Sequence, residues 1–370
     1  MSEPDLLYTD VEEELRASVR SLLADRADTA KVLARVESAQ PLDLDLWRTL
    51  AVEVGATSLP VPEALGGQGA SWRETAVVAE ELGRSVAPVP FLGSAVLASA
   101  TLLHLLGQGS DDNADDNART LLSRLAEGSA TAVLAVPLSA FPGSPLAPVS
   151  DHGGALSGSI RSVADATAAD VLIVPAGKVL HLVEAATATI TPVVSLDLTR
   201  PVADVDLTAS PSVALAGDGD AAVRAALLVG AGVLASEQVG LAEWCLTATV
   251  AYLKERYQFG RPVGSFQALK HRLADLWQEI ALARAAARAA ADALATGAPD
   301  LEITVRVAQA LCARTAVHAA EEALQLHGGI GMTWEHPAHL YLKRAKADEI
   351  ALGTPGRHRA ALAPLVGLTA

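Results

Sequence analysis

The chain has 370 residues, of which 51% are hydrophobic and 19% charged, and a formal net charge of −15. Such a composition buries a large core and excludes disorder, and the acidic balance argues against a nucleic-acid binder, whose backbone contacts need a basic face. Its two cysteines, Cys245 and Cys312, stand alone in apolar helical contexts with neither metal spacing nor a disulfide framework, so a reducing cytoplasm is expected.

The N-terminal stretch MSEPDLLYTDVEEELR is acidic where a signal peptide would be basic and then apolar. Apolar residues at helical spacing (Val11, Leu15, Val19, Leu22, Leu23) predict a helix over 9–37, with Asp10 as its N-cap. A second helix is expected over 43–54, with Leu46, Trp47, Leu50 and Val54 on one face and Gly55 as its stop. Pro60, Pro62, Gly66, Gly67 and Gly69 then make an irregular loop, after which Ser71 and Glu74 form a capping box for another helix. An apolar helix over 92–107, an acidic, Asn-rich surface loop at 108–118 and a helix at 119–126 follow.

At Thr131 the periodicity changes. Short β-branched runs divided by Gly, Pro, Asp and Ser predict a small β domain over 129–212. From about Asp220 the pattern is helical again, in four segments near 220–256, 264–296, 299–327 and 335–351, which predict an antiparallel bundle. The apolar run Ala225–Ser236 is too short to span a bilayer and reads as a buried helix, so no membrane span is expected. The fold class is mainly α with a small β domain: an N-terminal helical domain (1–128), a middle β domain (129–212) and a C-terminal four-helix bundle (213–370).

Two turns between bundle helices suit an anionic ligand. One holds Arg256, Gln258, Phe259 and Gly260, followed by Phe266-Gln267; an Arg grips phosphate with two parallel hydrogen bonds and a Gly permits a tight turn. The other holds Gln325, Gly328, Gly329 and Gly331, whose glycines admit close approach and leave N–H groups free. Each has a plainer reading: a surface helix–helix loop, and a helix C-cap at Gly328. Thr354, after Gly353, likewise reads as an N-cap.

In this order and at this separation, Arg-x-x-Phe-Gly and Gln-x-x-Gly-Gly-x-Gly resemble the acyl-CoA dehydrogenase family. The loop Pro62-Glu63 to Gly66-Gly67, followed by Glu81-Leu82-Gly83-Arg84, is a third match, and Ala169 to Val174 resembles a strand of the family's middle domain. The resemblance implies FAD-dependent α,β-desaturation of an acyl-CoA thioester, an electron-transfer flavoprotein-type acceptor, and a homo- or hetero-tetramer with a related subunit. It also implies FAD contacts from Arg256, Gln258, Phe259, Gln267, Gln325, Gly328, Gly329 and Thr354, some of them across a subunit interface.

The chain departs from the family at the base. The family's proton-abstracting Glu, needed about 3 Å from the acyl α-carbon, is replaced by Leu352, and the alternative position on the first bundle helix falls at Gly230 or Ala231. The nearest carboxylate on that helix, Glu237, reads as structural or interfacial rather than as a base; Glu349 reads as solvated. The family's Thr-Glu-x-x-x-Gly-Ser-Asp segment is absent as well: PLSAFPGSPLAPVSD stands there, with only Gly143-Ser144 suggestive. His327, His336, His339 and His358 show no catalytic partner in the sequence. Three readings are open: a helper subunit without its own base, an active homo-oligomer with a base elsewhere such as Glu237, and a non-catalytic acyl-CoA- or flavin-binding scaffold.

Overall fold

The computed structural model describes residues 5–108, 116–146 and 148–368, so most of the expected acidic loop at 108–118 lies outside them. Helix α1 (Asp10–Arg26) starts at the expected cap itself: Thr9, one residue earlier, is the N-cap, in a reciprocal box with Glu12. The single helix expected over 9–37 is two. Asp28 accepts from the N–H groups of Ala30 and Lys31 and so starts α2 (Thr29–Val36), a local bond that competes with continuing the first helix. Helix α3 (Leu44–Arg48) widens into a π-helical turn at Thr49–Glu53 before Gly55, whose φ is +72°. The Ser71–Glu74 box caps α4 (Trp72–Ser85) as expected. A π-helical stretch, Phe91–Ala98, runs into α5 (Ser99–Gln108), and α6 (Asp116–Ala126) follows.

Eight strands come next: β1 (Ala132–Leu134), β2 (Val149–Asp151), β3 (Ala155–Ala164), β4 (Val171–Ala176), β5 (Val179–Glu184), β6 (Thr189–Val193), β7 (Val202–Pro211) and β8 (Val213–Ala214). They form two four-stranded sheets, ordered β1-β4-β5-β8 and β2-β3-β7-β6. Among the described residues only β1 and β4 run parallel, with Ala132 opposite Val171. Strand β4 is buried on both faces. Its period of two sends Leu172 and Val174 into the core between the sheets, and Val171 and Ile173 into the helical core. That alternation fastens the β layer to the helices.

The C-terminal part contains α7 (Gly219–Glu255), a small hairpin of β9 (Tyr257–Gln258) and β10 (Arg261–Pro262), α8 (Gln267–Thr296), α9 (Leu301–His327), α10 (Ala338–Ile350) and α11 (Pro355–Leu365). Helix α11 was not among the four expected segments. Helix α7 is long and apolar enough to cross a membrane, but 83% of its most apolar window is buried inside the molecule. It crosses α4 backbone to backbone: a Cβ on Gly240 would stand 1.8 Å from the Glu80 carbonyl oxygen, and one on Gly83 2.0 Å from that of Glu237.

Candidate active site

The turn between α10 and α11 carries the position expected to hold a base. Leu352 is fully buried and sits at φ +54°, a left-handed conformation unusual for a side chain of its size. Its N–H donates to the Leu138 carbonyl (2.8 Å), and its own carbonyl accepts from His358 Nε2 (3.1 Å). The Leu352 side chain reaches the alternative position on α7: a Cβ on Gly230 would lie 2.9 Å from Leu352 Cδ1 and 2.5 Å from Leu97 Cδ2. The two positions expected to hold a carboxylate therefore pack on each other, and both are apolar.

Glu237 is two turns further along α7 and is also buried. Arg200 Nη2 donates to both its oxygens (2.7 and 2.6 Å), and Arg344 Nη1 donates to Oε1 (3.0 Å). Arg200 also donates to Asp348, while Arg344 pairs with Asp197 (3.1 Å) and donates to the Thr199 hydroxyl (2.9 Å). This cluster ties the 197–200 segment to α7 and α10. Burial, and then the charge of Glu237, pushes the Asp348 carboxyl up to about 8, and burial pushes nearby Asp165 up to about 6. One Asp348 oxygen, Oδ2, has no partner among the described residues, consistent with a proton retained there. Glu349 is half-exposed and lies 3.9 Å from Lys346.

The residues expected at the cofactor fall into two groups. Arg256 ends α7, exposed, and its guanidinium has no partner among the described residues. Gln258 and Phe259 sit on the β9–β10 hairpin; Phe259 is 89% exposed at φ +53°, followed by Gly260 at +73°. Gln267 opens α8, exposed. Gln325, Gly328 and Gly329 are exposed at the end of α9, and a Cβ on either glycine would meet nothing within 4 Å. Gly328 is also the helix cap that the plainer reading expects, at φ +63° with its N–H on the Gln325 carbonyl. The Tyr252 and His327 rings, 4.6 Å apart, hold the two turns at one end of the bundle. Thr354 is not there. It caps α11, accepting from the Arg357 N–H (3.3 Å), beyond the far end of α10, a helix about 20 Å long. The two turns fit the phosphate-bearing part of a nucleotide approaching from outside the chain: an unpaired guanidinium, an exposed aromatic ring, and glycine backbone open to contact.

The loop after β1 carries residues that sequence reasoning missed. Phe141 packs edge-on against His358 (centroids 5.0 Å, 73°), with the Arg306 and Arg357 guanidiniums over its ring at 4.9 and 4.8 Å. Arg357 also donates to Ser144 Oγ (2.8 Å). A Cβ on Gly353 would lie 2.3 Å from Phe141 Cδ2, so this position needs glycine for space as well as for its φ of +104°. Beside the loop, a groove of about 540 Å³ opens against the first turns of α7, lined by Gly143, Ser144, Leu146, Arg224 and Leu227 among others. No sequence signal pairs Phe141 with His358, which are far apart in the chain and belong to no common motif.

Comparison with known proteins decides the family. Residues 9–128 match the profile "Acyl-CoA dehydrogenase, N-terminal domain", and residues 217–365 match "Acyl-CoA dehydrogenase, C-terminal domain". The chain belongs to the acyl-CoA dehydrogenase family. It is 39% identical over 341 residues, 92% of either chain, to acyl-CoA dehydrogenase IpdE2 of Mycobacterium tuberculosis. Among solved structures it resembles a variant of the Tcur3481-Tcur3483 steroid ACAD (TM-score 0.84, 31% identity, 96% of this chain and 98% of that one). It also resembles the ChsE4-ChsE5 complex from Mycobacterium tuberculosis (TM-score 0.86, 27% identity, 99% and 100%). The chain thus belongs to an oxidoreductase and flavoprotein family whose cofactor is FAD.

Proposed function

We propose that this acyl-CoA dehydrogenase chain lacks its own base and serves α,β-desaturation of an acyl-CoA as the helper subunit of a mixed tetramer, the related chain supplying the carboxylate. The observation that carries this is the packing of Leu352 on Gly230, which leaves no proton acceptor at either family position. Glu237 does not replace them: its oxygens are bonded by two guanidiniums in a buried cluster. Likeness to the paired chains Tcur3481-Tcur3483 and ChsE4-ChsE5 supports the mixed assembly. In this reading Arg256, Gln258, Phe259, Gln267, Gln325, Gly328 and Gly329 hold the nucleotide end of FAD across the subunit interface, and Thr354 acts as a helix cap. The acceptor of the electrons is an electron-transfer flavoprotein-type protein.

The test is the visible spectrum of the purified chain, alone and with a related subunit, before and after anaerobic acyl-CoA. Flavin that bleaches only with the partner present is the expected result. Bleaching in the lone chain would show an active enzyme with a base elsewhere, and no flavin in either sample would favour a non-catalytic scaffold.

A further inference from the structure

The Phe141 slot contains buried polar atoms that the fold leaves unused. Arg306 is 5% exposed; its Nε and Nη2 donate to Glu302, but Nη1 has no partner among the described residues. His358 is fully buried, donates through Nε2 to Leu352, and leaves Nδ1 without a partner. The Arg306 Nη1 donor is of a kind ordinarily satisfied when buried, whereas His358, held neutral by burial and donating through Nε2, presents Nδ1 as an acceptor. The ring between the two arginines offers them only the negative face of its π-system, a weak substitute for an anion. Arg357, on the first turn of α11, adds a second guanidinium and the positive end of that helix.

Phe141 is held there by few bonds. Among the described residues, the Leu138 carbonyl on the Leu352 N–H and the Ser144 hydroxyl on Arg357 are the hydrogen bonds of this loop to the C-terminal part, and the loop borders the 540 Å³ groove. An oxyanion in place of the ring would receive charge-assisted hydrogen bonds from both guanidiniums, much stronger than the contact it displaces. We propose that the Phe141 slot is a gated anion seat: the 138–144 loop closes it, and a carboxylate or phosphate carried by an acyl-CoA opens it and binds between Arg306 and Arg357. The nature of the carrier rests on the acyl-CoA reading; the anion seat does not.

The experiment compares the full chain with Phe141→Ala and with Phe141→Ala/Arg306→Met. Each is titrated calorimetrically with succinate, succinyl-CoA, butyryl-CoA and coenzyme A, while hydrogen exchange of the 138–144 segment is followed in the unmodified chain. Phe141→Ala is expected to bind succinyl-CoA at least tenfold more tightly than the parent chain does, and the double variant to lose that gain. In the parent, succinyl-CoA is expected to speed exchange across 138–144. A gain confined to succinate and succinyl-CoA assigns a carboxylate; an equal gain for coenzyme A and butyryl-CoA assigns a phosphate. Arg306-dependent binding of succinate without binding of any thioester keeps the seat and rejects the acyl-CoA reading. Binding that is indifferent to Phe141 and Arg306, or exchange across 138–144 that no probe alters, overturns the proposal. The exchange measurement decides the matter even if the variants fold poorly.

Discussion

Glu237→Gln separates a structural carboxylate from a base. In the fold this side chain accepts three hydrogen bonds from Arg200 and Arg344, and all three residues are at most 5% exposed. Removing one partner of a buried ion pair costs about 3–5 kcal/mol, because the opposite charge is left uncompensated. Part of that is returned here. Glu237 is one of the charges holding the Asp348 carboxyl up, so its loss lets Asp348 ionise more readily beside Arg200. Each unit of that return is worth about 1.4 kcal/mol. A net loss of about 2–4 kcal/mol remains, and at roughly 2 °C per kcal/mol for a chain of this size the melting temperature should fall by about 4–8 °C. The assay is thermal unfolding followed by circular dichroism, paired with anaerobic flavin reduction in the assembled enzyme well below the melting range. Unchanged melting together with abolished reduction would refute the reasoning and make Glu237 the base.

Three further outcomes follow from the same geometry. The folded Asp348 carboxyl, pushed by burial and Glu237 to about 8, lies above the ordinary value of about 3.9. The native state therefore holds this proton more tightly than the unfolded chain, and the stability it confers is full below about 4 and lost as pH rises through about 8. Melting temperature should fall from pH 6 to pH 9, and Asp348→Asn, neutral throughout, should flatten that fall; an equally steep fall in the variant places the proton elsewhere. Gly240→Ala should cost about 3 kcal/mol or more in urea unfolding, because the new Cβ stands 1.8 Å from a backbone oxygen that cannot rotate away. Gly107→Ala, exposed on α5 with nothing near its Cβ, should stabilise by about 0.5–1 kcal/mol, and equal effects at the two glycines would discredit the close α4–α7 crossing. Arg256→Ala should weaken flavin binding in the assembled enzyme by about ten- to a hundredfold, the worth of a charge-assisted contact; unchanged affinity by fluorescence titration removes Arg256 from the cofactor site.

Periodicity made the fold largely readable. The long segments near 220–256, 264–296 and 299–327 correspond to α7, α8 and α9 because each carries apolar residues over many turns, which no local bond interrupts. Where short polar side chains bond their own backbone, the pattern misled: Asp28 starts a new helix inside an unbroken run of helical spacing, and Thr9 takes the cap that Asp10 was expected to form. The π-helical turns at Thr49–Glu53 and Phe91–Ala98 had no signature at all, since the extra residue per turn is set by packing rather than by residue type.

The site was legible only as positions. Counting from the Arg256 motif put the alternative carboxylate at Gly230 or Ala231, and the structure brings Gly230 against Leu352. What the sequence did not convey is what fills the space at the two positions expected to hold a base. Leu352 turns inward at an unfavourable φ and closes on Gly230, which Leu97 also flanks, while the Leu138 carbonyl takes its N–H. A left-handed leucine costs about 1–2 kcal/mol, against about 2–3 kcal/mol gained by burying its side chain. The turn is therefore held in place by its packing, and an isolated Leu352→Glu exchange would put a carboxylate into a closed apolar contact. Restoring a base to this chain requires reopening the contact from the Gly230 side and the Leu138 loop together.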